Sequence, residues 1–428
     1  MKNYISASWA ILLFFGLFLA GCENDRCIRT QEYIQYEPVY KLIDEMRKPV
    51  IWEAPRDLVA PGKLFYYKGY LMINELQEGI HVIDNRDPAN PINTGFLNIP
   101  GSIDMAVNGD MLYVDNYLDL VGINISNPNQ PVEVSRVEDV FQQFYAYDNQ
   151  LGYLVEYAPT EVRHQISCDN PDFGRPWIFA VESWLANADL STGGVLFSNN
   201  KSVNASFVGG GSMARFTVAH DHLYTIDGGH VKVFDVQQST PVLKNKVYMQ
   251  WGIETLFPMA GNLFVGSNNG LLIYDISNPT TPEFRSTFTH AQACDPVVVS
   301  GNTAYVTLRD GNECFGYVNQ LDVIDVSNLW EPKLIRSYPM QHPHGLSVVE
   351  DALYLCEGQY GLKTFDVSNP KEIHEHLLGH ISGFDAYDVI VLPPGDLVMV
   401  IGKDGLYQYD ASNLKDLKRI SVIEVKRT

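Results

Sequence analysis

The sequence predicts an all-β fold built from repeated units, and three observations lead to this prediction. A strand-like segment that ends in Asp or Asn and continues into a polar, often proline-containing turn recurs along the chain, as in GLLIYDISNPTTP at residues 270–282. Neighbouring copies lie mostly 40 to 50 residues apart, a spacing typical of one propeller blade. Short turn pairs of Gly with Asp or Asn precede many of these segments. The residues that end the recurring strands, called marker residues below, are Asp84, Asn124, Asp235, Asp275, Asp325, Asp366 and Asp410.

Each copy is expected to contain four short antiparallel strands, named a to d in chain order. Asp or Asn at the end of strand c can accept a hydrogen bond from its own backbone two residues further on, and Pro ends a strand because it lacks an N–H. Turn pairs such as Gly109-Asp110, Gly261-Asn262 and Gly301-Asn302 suit two-residue hairpins between strands a and b. Four short strands cannot bury both faces alone, so successive sheets must stack around an axis. The sequence therefore predicts a single β-propeller.

The number of blades depends on the long gap between Asn124 and Asp235. The gap has room for one enlarged copy, whose third strand would be PWIFAVES at residues 176–183. Counting that copy gives eight four-stranded blades, and seven is the alternative if the gap holds an insertion. The segment PVIWEA at residues 49–54 resembles the beginning of a fourth strand. It is expected to join the closing blade, as a replacement strand or an additional one.

Composition and charge set limits on function. With 46% hydrophobic and 19% charged residues, the chain can bury a large core in one domain. Its formal net charge of −21 disfavours nucleic acid and anionic lipid surfaces as partners.

The N-terminus carries the most specific local signal. Lys2 is followed by an apolar run at residues 10–20, which is too short to span a bilayer and is typical of a signal peptide. Leu19-Ala20-Gly21-Cys22 resembles the bacterial lipobox, and this resemblance implies that Cys22 becomes the lipid-modified first residue. Residues 1–21 are then the signal peptide, 22–48 a tether and 49–428 the propeller. We expect an outer-membrane lipoprotein with a periplasmic or a surface-exposed location.

The repeat itself resembles a known family. The motif GL-x-V-x-D-V-S-N-P, preceded by GN-x-x-YV as in GNTAYV at residues 301–306, is similar to that of LVIVD-repeat proteins, β-propeller lipoproteins common in Bacteroidota. The resemblance covers roughly residues 55 to 420. It implies a fold and a location, and it supplies no chemistry.

The motifs for chemistry are sparse. One marker residue per blade is interpreted as a repeated structural turn and not as a metal or catalytic ring. His344 begins a strand a and could face the channel beside Asp104, Asp295 and Asp385, where a metal-dependent enzyme would place its site. Mixed polar residues are ordinary at a propeller mouth, and we favour that interpretation. We therefore expect no metal, no cofactor and no catalytic residue.

Two functions remain open. The first is a lipid-anchored binding or scaffold protein that presents a propeller face to a protein or glycan, and the alternative is a hydrolase or lyase at the channel mouth. Elaborated loops and diffuse charges favour binding. The two enlarged connections, residues 157–176 and 308–320, are interpreted as b–c loops at one end of the ring. The residues expected to contact a partner there are Arg163, His164, Phe173, Trp177, Arg309, Phe315 and His344.

The cysteines suggest one disulfide. With Cys22 lipidated, five cysteines remain in an oxidising compartment. Cys294 and Cys314 fall at the same end of one predicted blade, so a bridge between them is geometrically allowed. Two free thiols are the alternative.

Overall fold

A computed structural model describes residues 28–142, 145–167, 214–268, 270–289, 296–310, 318–392 and 396–426. The chain divides into two compact units, residues 1–39 with 156–192 and residues 40–155 with 193–428. Within the described residues, no helix has the length and apolar character needed to cross a bilayer.

A three-stranded sheet contains the described part of the smaller unit. Its strands are Ile28–Lys41, Gly152–Ser167 and Tyr147–Asp148, with Gly152–Ser167 in the middle. In the smaller unit, Arg163 Nε lies 3.2 Å from Glu32 Oε1, and both side chains are exposed. An exposed pair of this kind contributes little to stability.

The larger unit contains seven antiparallel meanders, which we number as blades 1 to 7. Blade 1 comprises Pro61–Tyr67, Tyr70–Glu75, Gly79–Asp84 and Ile92–Asn98; blade 2 comprises Met105–Asn108, Met111–Asn116, Asp119–Asn124 and Val132–Val137; blade 3 comprises Phe216–Ala219, His222–Asp227, His230–Asp235 and Val242–Tyr248. Blade 4 comprises Ile253–Met259, Asn262–Ser267, Gly270–Asp275 and Glu283–Thr289; blade 5 comprises Val297–Ser300, Thr303–Leu308, Gln320–Asp325 and Lys333–Pro339. Blade 6 comprises Leu346–Val349, Ala352–Cys356, Leu362–Asp366 and Leu377–Ile381; blade 7 comprises Ala386–Leu392, Leu397–Gly402, Gly405–Asp410 and Lys418–Glu424.

Tight hairpins join strands a and b, as predicted. In blade 4, Ala260 and Gly261 have φ values of 47° and 75°, so both central residues are left-handed. This conformation matches the twist of the flanking strands and favours Gly. The predicted pairs Gly109-Asp110 and Gly301-Asn302 occupy the turns of blades 2 and 5, whereas the blade 4 turn begins one residue earlier than predicted.

The marker residues form the predicted structural turns. In every blade the side-chain oxygen of the marker accepts a hydrogen bond from the backbone N–H two residues further on. In blade 4, for example, Ser277 N donates to Asp275 Oδ1 at 2.6 Å. The same bond occurs at Asp84, Asn124, Asp235, Asp325, Asp366 and Asp410. These carboxylates are therefore spread around the ring and do not converge on one site.

The seven blades form a closed ring. Strand a of each blade from 1 to 6 contacts strand a of the next, so these strands line the axis. Blades 7 and 1 close the ring through an apolar cluster that includes Leu64 and Met399. Asn85 and Gln408 join them with two reciprocal amide hydrogen bonds of 2.9 and 2.7 Å. Ser421 Oγ also donates to the carbonyl oxygen of Pro88 at 2.6 Å.

The prediction of an all-β propeller is confirmed, and the packing assigns the blade count. Eight sheets are described, of which seven form the ring and the eighth is the three-stranded sheet. Strand a of blade 2 contacts strand a of blade 3, and one apolar cluster contains Tyr113 of blade 2 and Phe216 of blade 3, so these blades are neighbours in the ring. The ring therefore has the alternative count of seven, and residues 138–215 are an insertion before blade 3. The expected strand at residues 176–183 lies outside the described residues.

The segment before blade 1 also differs from expectation. Ile51–Glu53 pairs antiparallel with strand d of blade 1 and becomes its fifth strand, so residues 49–54 do not join the last blade. The expected tether, residues 22–48, includes the strand Ile28–Lys41 and the short helix Ile43–Met46. Arg47 follows this helix and pairs with Asp119 of blade 2, with Nε 3.0 Å from Oδ2. The chain is thus already ordered against the propeller at Arg47.

Candidate functional site

The two ends of the propeller have different connections. In these meanders the a–b and c–d connections share one end, which we call the turn end, and the b–c and d–a connections share the other, which we call the loop end. At the turn end, the a–b turns of blades 1 to 6 each contain two residues. Among the connections that start at the loop end, residues 309–319 after strand b of blade 5 and residues 138–215 after strand d of blade 2 are far longer than residues 228–229 of blade 3. Length variation is therefore concentrated at the loop end.

One of the two predicted b–c loops is confirmed and the other is corrected. Leu308 ends strand b of blade 5 and Gln320 begins strand c, as predicted for residues 308–320. Residues 157–167, in contrast, lie in the strand Gly152–Ser167 within the insertion between blades 2 and 3. Blade 2 already has four strands of its own, so this segment belongs to a d–a connection. Both kinds of connection leave the ring at the loop end.

The structure brings together two of the seven residues predicted to contact a partner. Arg309 and His344 lie in contact at the loop end, as described below. Arg163 lies in the strand Gly152–Ser167, as does His164, whose side chain is not among the described groups. Phe173, Trp177 and Phe315 lie outside the described residues.

The cysteine predictions also lie outside the described residues. The structure does not describe Cys22, Cys294 or Cys314, so lipidation and the disulfide stay predictions. Within the described part, Cys356 is a buried free thiol in strand b of blade 6. Burial raises its pKa, which makes it an inert packing residue.

A first cluster of buried charges, the Lys63 cluster, consists of Lys63, Asp104 and Asp115 and joins blades 1, 2 and 3. Lys63 Nζ pairs with Asp104 Oδ1 and donates to the carbonyl oxygen of Phe216 at 3.2 Å. Asp104 Oδ2 accepts hydrogen bonds from the backbone N–H groups of Arg215 and Phe216, at 2.7 and 3.0 Å. The ion pair thus fixes three neighbouring blades to one another.

Asp115 completes this cluster. Its Oδ1 accepts hydrogen bonds from the backbone N–H groups of Ile103 and Asp104, each at 2.8 Å. Burial nevertheless raises the pKa of Asp115 to about 7, because desolvation of the carboxylate outweighs the two hydrogen bonds. Burial also lowers the pKa of Lys63, and Asp104 opposes that shift.

A second cluster at the loop end, the Arg309 cluster, consists of Arg309, His342, His344 and Tyr387 and joins blades 5, 6 and 7. Arg309 Nη1 lies 2.6 Å from Nδ1 and 2.9 Å from Nε2 of His344. His344 Nε2 lies 3.2 Å from His342 Nδ1, and the His344 ring centroid is 5.4 Å from that of Tyr387. A Cβ atom at Gly358 would lie only 3.0 Å from His344 Nε2, so glycine leaves room for the imidazoles.

The histidines of this cluster are neutral. Burial lowers the pKa of His344 to about 2, and the neighbouring Arg309 guanidinium contributes. Burial, with Arg309 again contributing, also lowers the pKa of His342, although this side chain is 43% exposed. His342 has a left-handed φ of 74°, which is uncommon for a residue with a side chain and is often found at functional sites.

The predicted convergence of His344 with three aspartates at the channel mouth does not occur among the described residues. Asp104 belongs to the Lys63 cluster, and His344 belongs to the Arg309 cluster. Asp385 Oδ2 accepts a hydrogen bond of 3.4 Å from the Tyr387 hydroxyl, and Asp295 lies outside the described residues. In the part of the chain that the structure describes, no group of three or more His, Cys, Asp or Glu residues could hold a metal ion.

Sequence reasoning missed Lys63 and Asp115. A weak signal was present, because each is a charged residue inside an otherwise apolar strand, in GKLFYY and in MLYVDN. A charge at such a position is buried only with a partner. The partner of Lys63 comes from the next blade, and its identity cannot be read from local sequence. Asp115 accepts its hydrogen bonds from the segment before strand a of its own blade.

Comparisons with known proteins agree with this fold. Residues 102–139, 261–289 and 292–339 match the LVIVD repeat, a family associated with β-propeller folds. The first segment spans blade 2, the second lies in blade 4 and the third spans blade 5. No curated protein sequence matches the chain.

Solved propeller-like structures resemble the chain at low identity. A functionally unknown protein from Desulfotomaculum acetoxidans has a TM-score of 0.53 and 10% identity, covering 84% of this chain and 98% of its own. The periplasmic gluconolactonase PpgL of Pseudomonas aeruginosa has a TM-score of 0.51 and 11% identity, covering 92% and 97%. The computationally designed Ika8 protein has a TM-score of 0.51 and 10% identity, covering 87% and 89%. At these identities the likeness concerns the fold alone, so the chain is a β-propeller that carries LVIVD repeats.

Proposed function

We propose that this protein is a lipid-anchored binding or scaffold protein of the cell envelope, and that a protein or glycan docks on its loop end. The observation that carries the proposal is the unequal variation of the connections. The connections at the turn end are nearly uniform in length, whereas those that start at the loop end include the long segments 309–319 and 138–215. Loops that grow on one face of a rigid repeat scaffold are where binding commonly resides.

The net charge narrows the class of partner. At −21 the chain would repel the phosphates of nucleic acids and the surface of anionic membranes. A protein or a glycan is compatible with this charge. The membrane is reached through the lipid anchor alone.

The anchor is the lipid on Cys22. The lipobox-like LAGC supports it, as does the resemblance of the repeats to LVIVD-type lipoproteins of Bacteroidota. Because acylation would supply the only attachment, Cys22→Ala should move the protein to the soluble fraction. Membrane attachment that persists in this variant would contradict the anchor.

A second candidate is a hydrolase or lyase at the channel mouth. One observation favours it, since the pKa of Asp115, about 7, is suited to general acid–base catalysis at neutral pH. The side chain of Asp115 is buried, however, and accepts two backbone hydrogen bonds within the scaffold. Binding is therefore the better-supported function.

Replacing part of the blade 5 loop tests the proposal. Residues 311–317 are exchanged for a short Gly-Ser linker, while Arg309 and Asn319 stay because Asn319 contributes hydrogen bonds to Asp310 and Met340. After crosslinking in intact cells, partner capture should fall strongly while the melting temperature changes little. The matched control exchanges the c–d turn of blade 4, residues 276–282, at the turn end. Full capture by the linker variant, with loss in the control, would place the binding surface at the turn end.

A further inference from the structure

Arg309 differs from the other largely buried cations of the described residues. Four of them belong to ion pairs with carboxylates inside the protein. The pairs are Lys63 with Asp104, Arg136 with Asp119, Lys232 with Asp227 and Lys363 with Glu357. Arg309 lies against neutral His344 instead, and among the described residues no carboxylate oxygen is within ion-pair distance of its guanidinium.

A largely buried guanidinium is unfavourable unless an anion pairs with it, and Arg309 has no such pair with a carboxylate of the described residues. An arriving anion would lower this cost. Asp310 attracts the guanidinium of Arg309 at longer range but forms no ion pair with it, and its Oδ1 lies 3.8 Å from His342 Nε2. Burial lowers the pKa of Arg309, Asp310 and Tyr387 oppose that shift, and the guanidinium stays charged at neutral pH.

The side chains around Arg309 have the donors that an oxyanion requires. A guanidinium presents several N–H groups in a planar fork that fits a carboxylate, and a neutral His342 adds one imidazole N–H. The ring nitrogens of His344 are already within hydrogen-bond distance of Arg309 and His342, so His344 positions these donors. His342 is partly exposed, so an anion can approach from solvent. The left-handed φ of His342 and the glycine at position 358 hold both imidazoles beside the guanidinium.

We propose that Arg309, His342 and His344 form a binding site for a carboxylate group at the loop end. The three side chains carry one positive charge, which a monoanion balances, and Asp310 is a negative charge close to His342. A phosphate dianion would leave excess negative charge beside Asp310, in a chain of net charge −21. This inference deepens the proposed function by naming an acidic group as what the partner presents. The same chemistry fits a small free carboxylate.

The direct test is a titration of the full-length protein, with ¹³C-labelled histidine, by sodium acetate at constant ionic strength. The ring signals of His342 and His344 should shift saturably. Arg309→Met should weaken acetate binding at least about tenfold, because charge-assisted hydrogen bonds are lost. The control Arg285→Met removes a cation already paired with Asp275 and should bind acetate like the unmodified protein.

A second variant keeps the proposal testable if the first one misfolds. If Arg309→Met does not fold, Arg309→Lys keeps the charge without the planar fork and should bind acetate more weakly than the unmodified protein. Absence of a saturable shift, equal affinity in the folded Arg309 variant, or tighter binding of inorganic phosphate than of acetate would overturn the proposal.

A second arm identifies the source of the carboxylate. If the partner presents it, Arg309→Met should reduce partner capture in intact cells as well as acetate binding. Acetate binding with unchanged partner capture supports the site with a small carboxylate as its ligand. Partner capture by the linker variant at residues 311–317 tests the proposed function separately. The acetate result does not depend on any partner.

Discussion

The Lys63 cluster and the Arg309 cluster lie at the same end of the propeller, and each joins three blades. They differ in where the neutralising charge comes from. Lys63 has its counter-ion in Asp104, which is itself held by two backbone N–H groups. Arg309 has two neutral imidazoles as neighbours. The first arrangement is complete without a ligand, whereas the second gains from an external anion.

This difference separates structural charge from charge available for recognition. Burial alone does not distinguish the two clusters, since both contain buried titratable groups. A buried pair is strongly destabilised when one partner is lost, but a buried ion without a partner is already unfavourable. The comparison therefore predicts that removing the cation costs much more stability in the Lys63 cluster than in the Arg309 cluster.

The largest expected effect is that of Lys63→Met. This change leaves the Asp104 carboxylate buried without its cation, and we expect a loss of about 3–5 kcal/mol in the free energy of unfolding. The matched change Arg309→Met should cost less than about 1 kcal/mol, because no carboxylate of the described residues loses a partner. Urea unfolding of both variants measures the difference. Equal costs would remove the distinction between the clusters.

Asp115→Asn should stabilise the protein at pH 8. The folded pKa of Asp115 is raised to about 7, above an unfolded value near 3.9, so the folded state holds the proton more tightly. This contribution is present below pH 4 and is lost as pH rises to 7. Asn cannot ionise, and its amide oxygen can still accept the two backbone hydrogen bonds. We expect a gain of about 1–3 kcal/mol at pH 8, measured by urea unfolding, and a loss would contradict the buried-carboxylate account.

His344 should make the free energy of unfolding fall as the pH is lowered, whereas Asp115 makes it fall as the pH is raised. The folded pKa of His344 is lowered to about 2, below an unfolded value near 6.5, so its stabilising contribution is present above pH 6.5 and falls at lower pH. At pH 5 the loss should be about 2 kcal/mol relative to pH 7. Unfolding is measured in an Asp115→Asn background, because Asp115 changes the free energy of unfolding with pH in the opposite direction. His344→Gln in that background should flatten the profile, and an unchanged slope would show that another group titrates.

The smallest effect is expected at the turn end. Asp366→Ala removes the hydrogen bond of 2.9 Å from Ser368 N and should cost about 1 kcal/mol. Partner capture should stay unchanged, because the turn lies far along the strands from the loop end. A loss of capture with intact folding would show that the marker turns take part in binding.

The repeat made the fold predictable from sequence, whereas the clusters depend on contacts between blades. The marker residues and the Gly-containing turns are local signals, since each bonds within a few residues. Their prediction was correct except that the blade 4 turn begins one residue earlier. The count of eight blades rested on a gap without a clear motif, and contact between the a strands of blades 2 and 3 closes the ring at seven. Asp104 and Phe216 lie more than a hundred residues apart, so their hydrogen bond left no local pattern.

Arg309 and His344 were predicted at the loop end from strand direction alone, because His344 precedes a strand a and Arg309 follows a strand b. Their contact was not predicted. It depends on His342 adopting a left-handed backbone and on the space that Gly358 leaves. Neither property has a sequence signature without knowledge of the neighbouring blade.

The central claim is that a partner docks at the loop end, and one paired measurement within blade 6 tests it. A photo-crosslinking amino acid is placed at Gln359, exposed in the b–c connection, or at Glu350, exposed in the a–b turn of the same blade. After irradiation of intact cells, the account predicts a crosslinked partner for the Gln359 probe and none for the Glu350 probe. Crosslinking from Glu350 with none from Gln359 would contradict it.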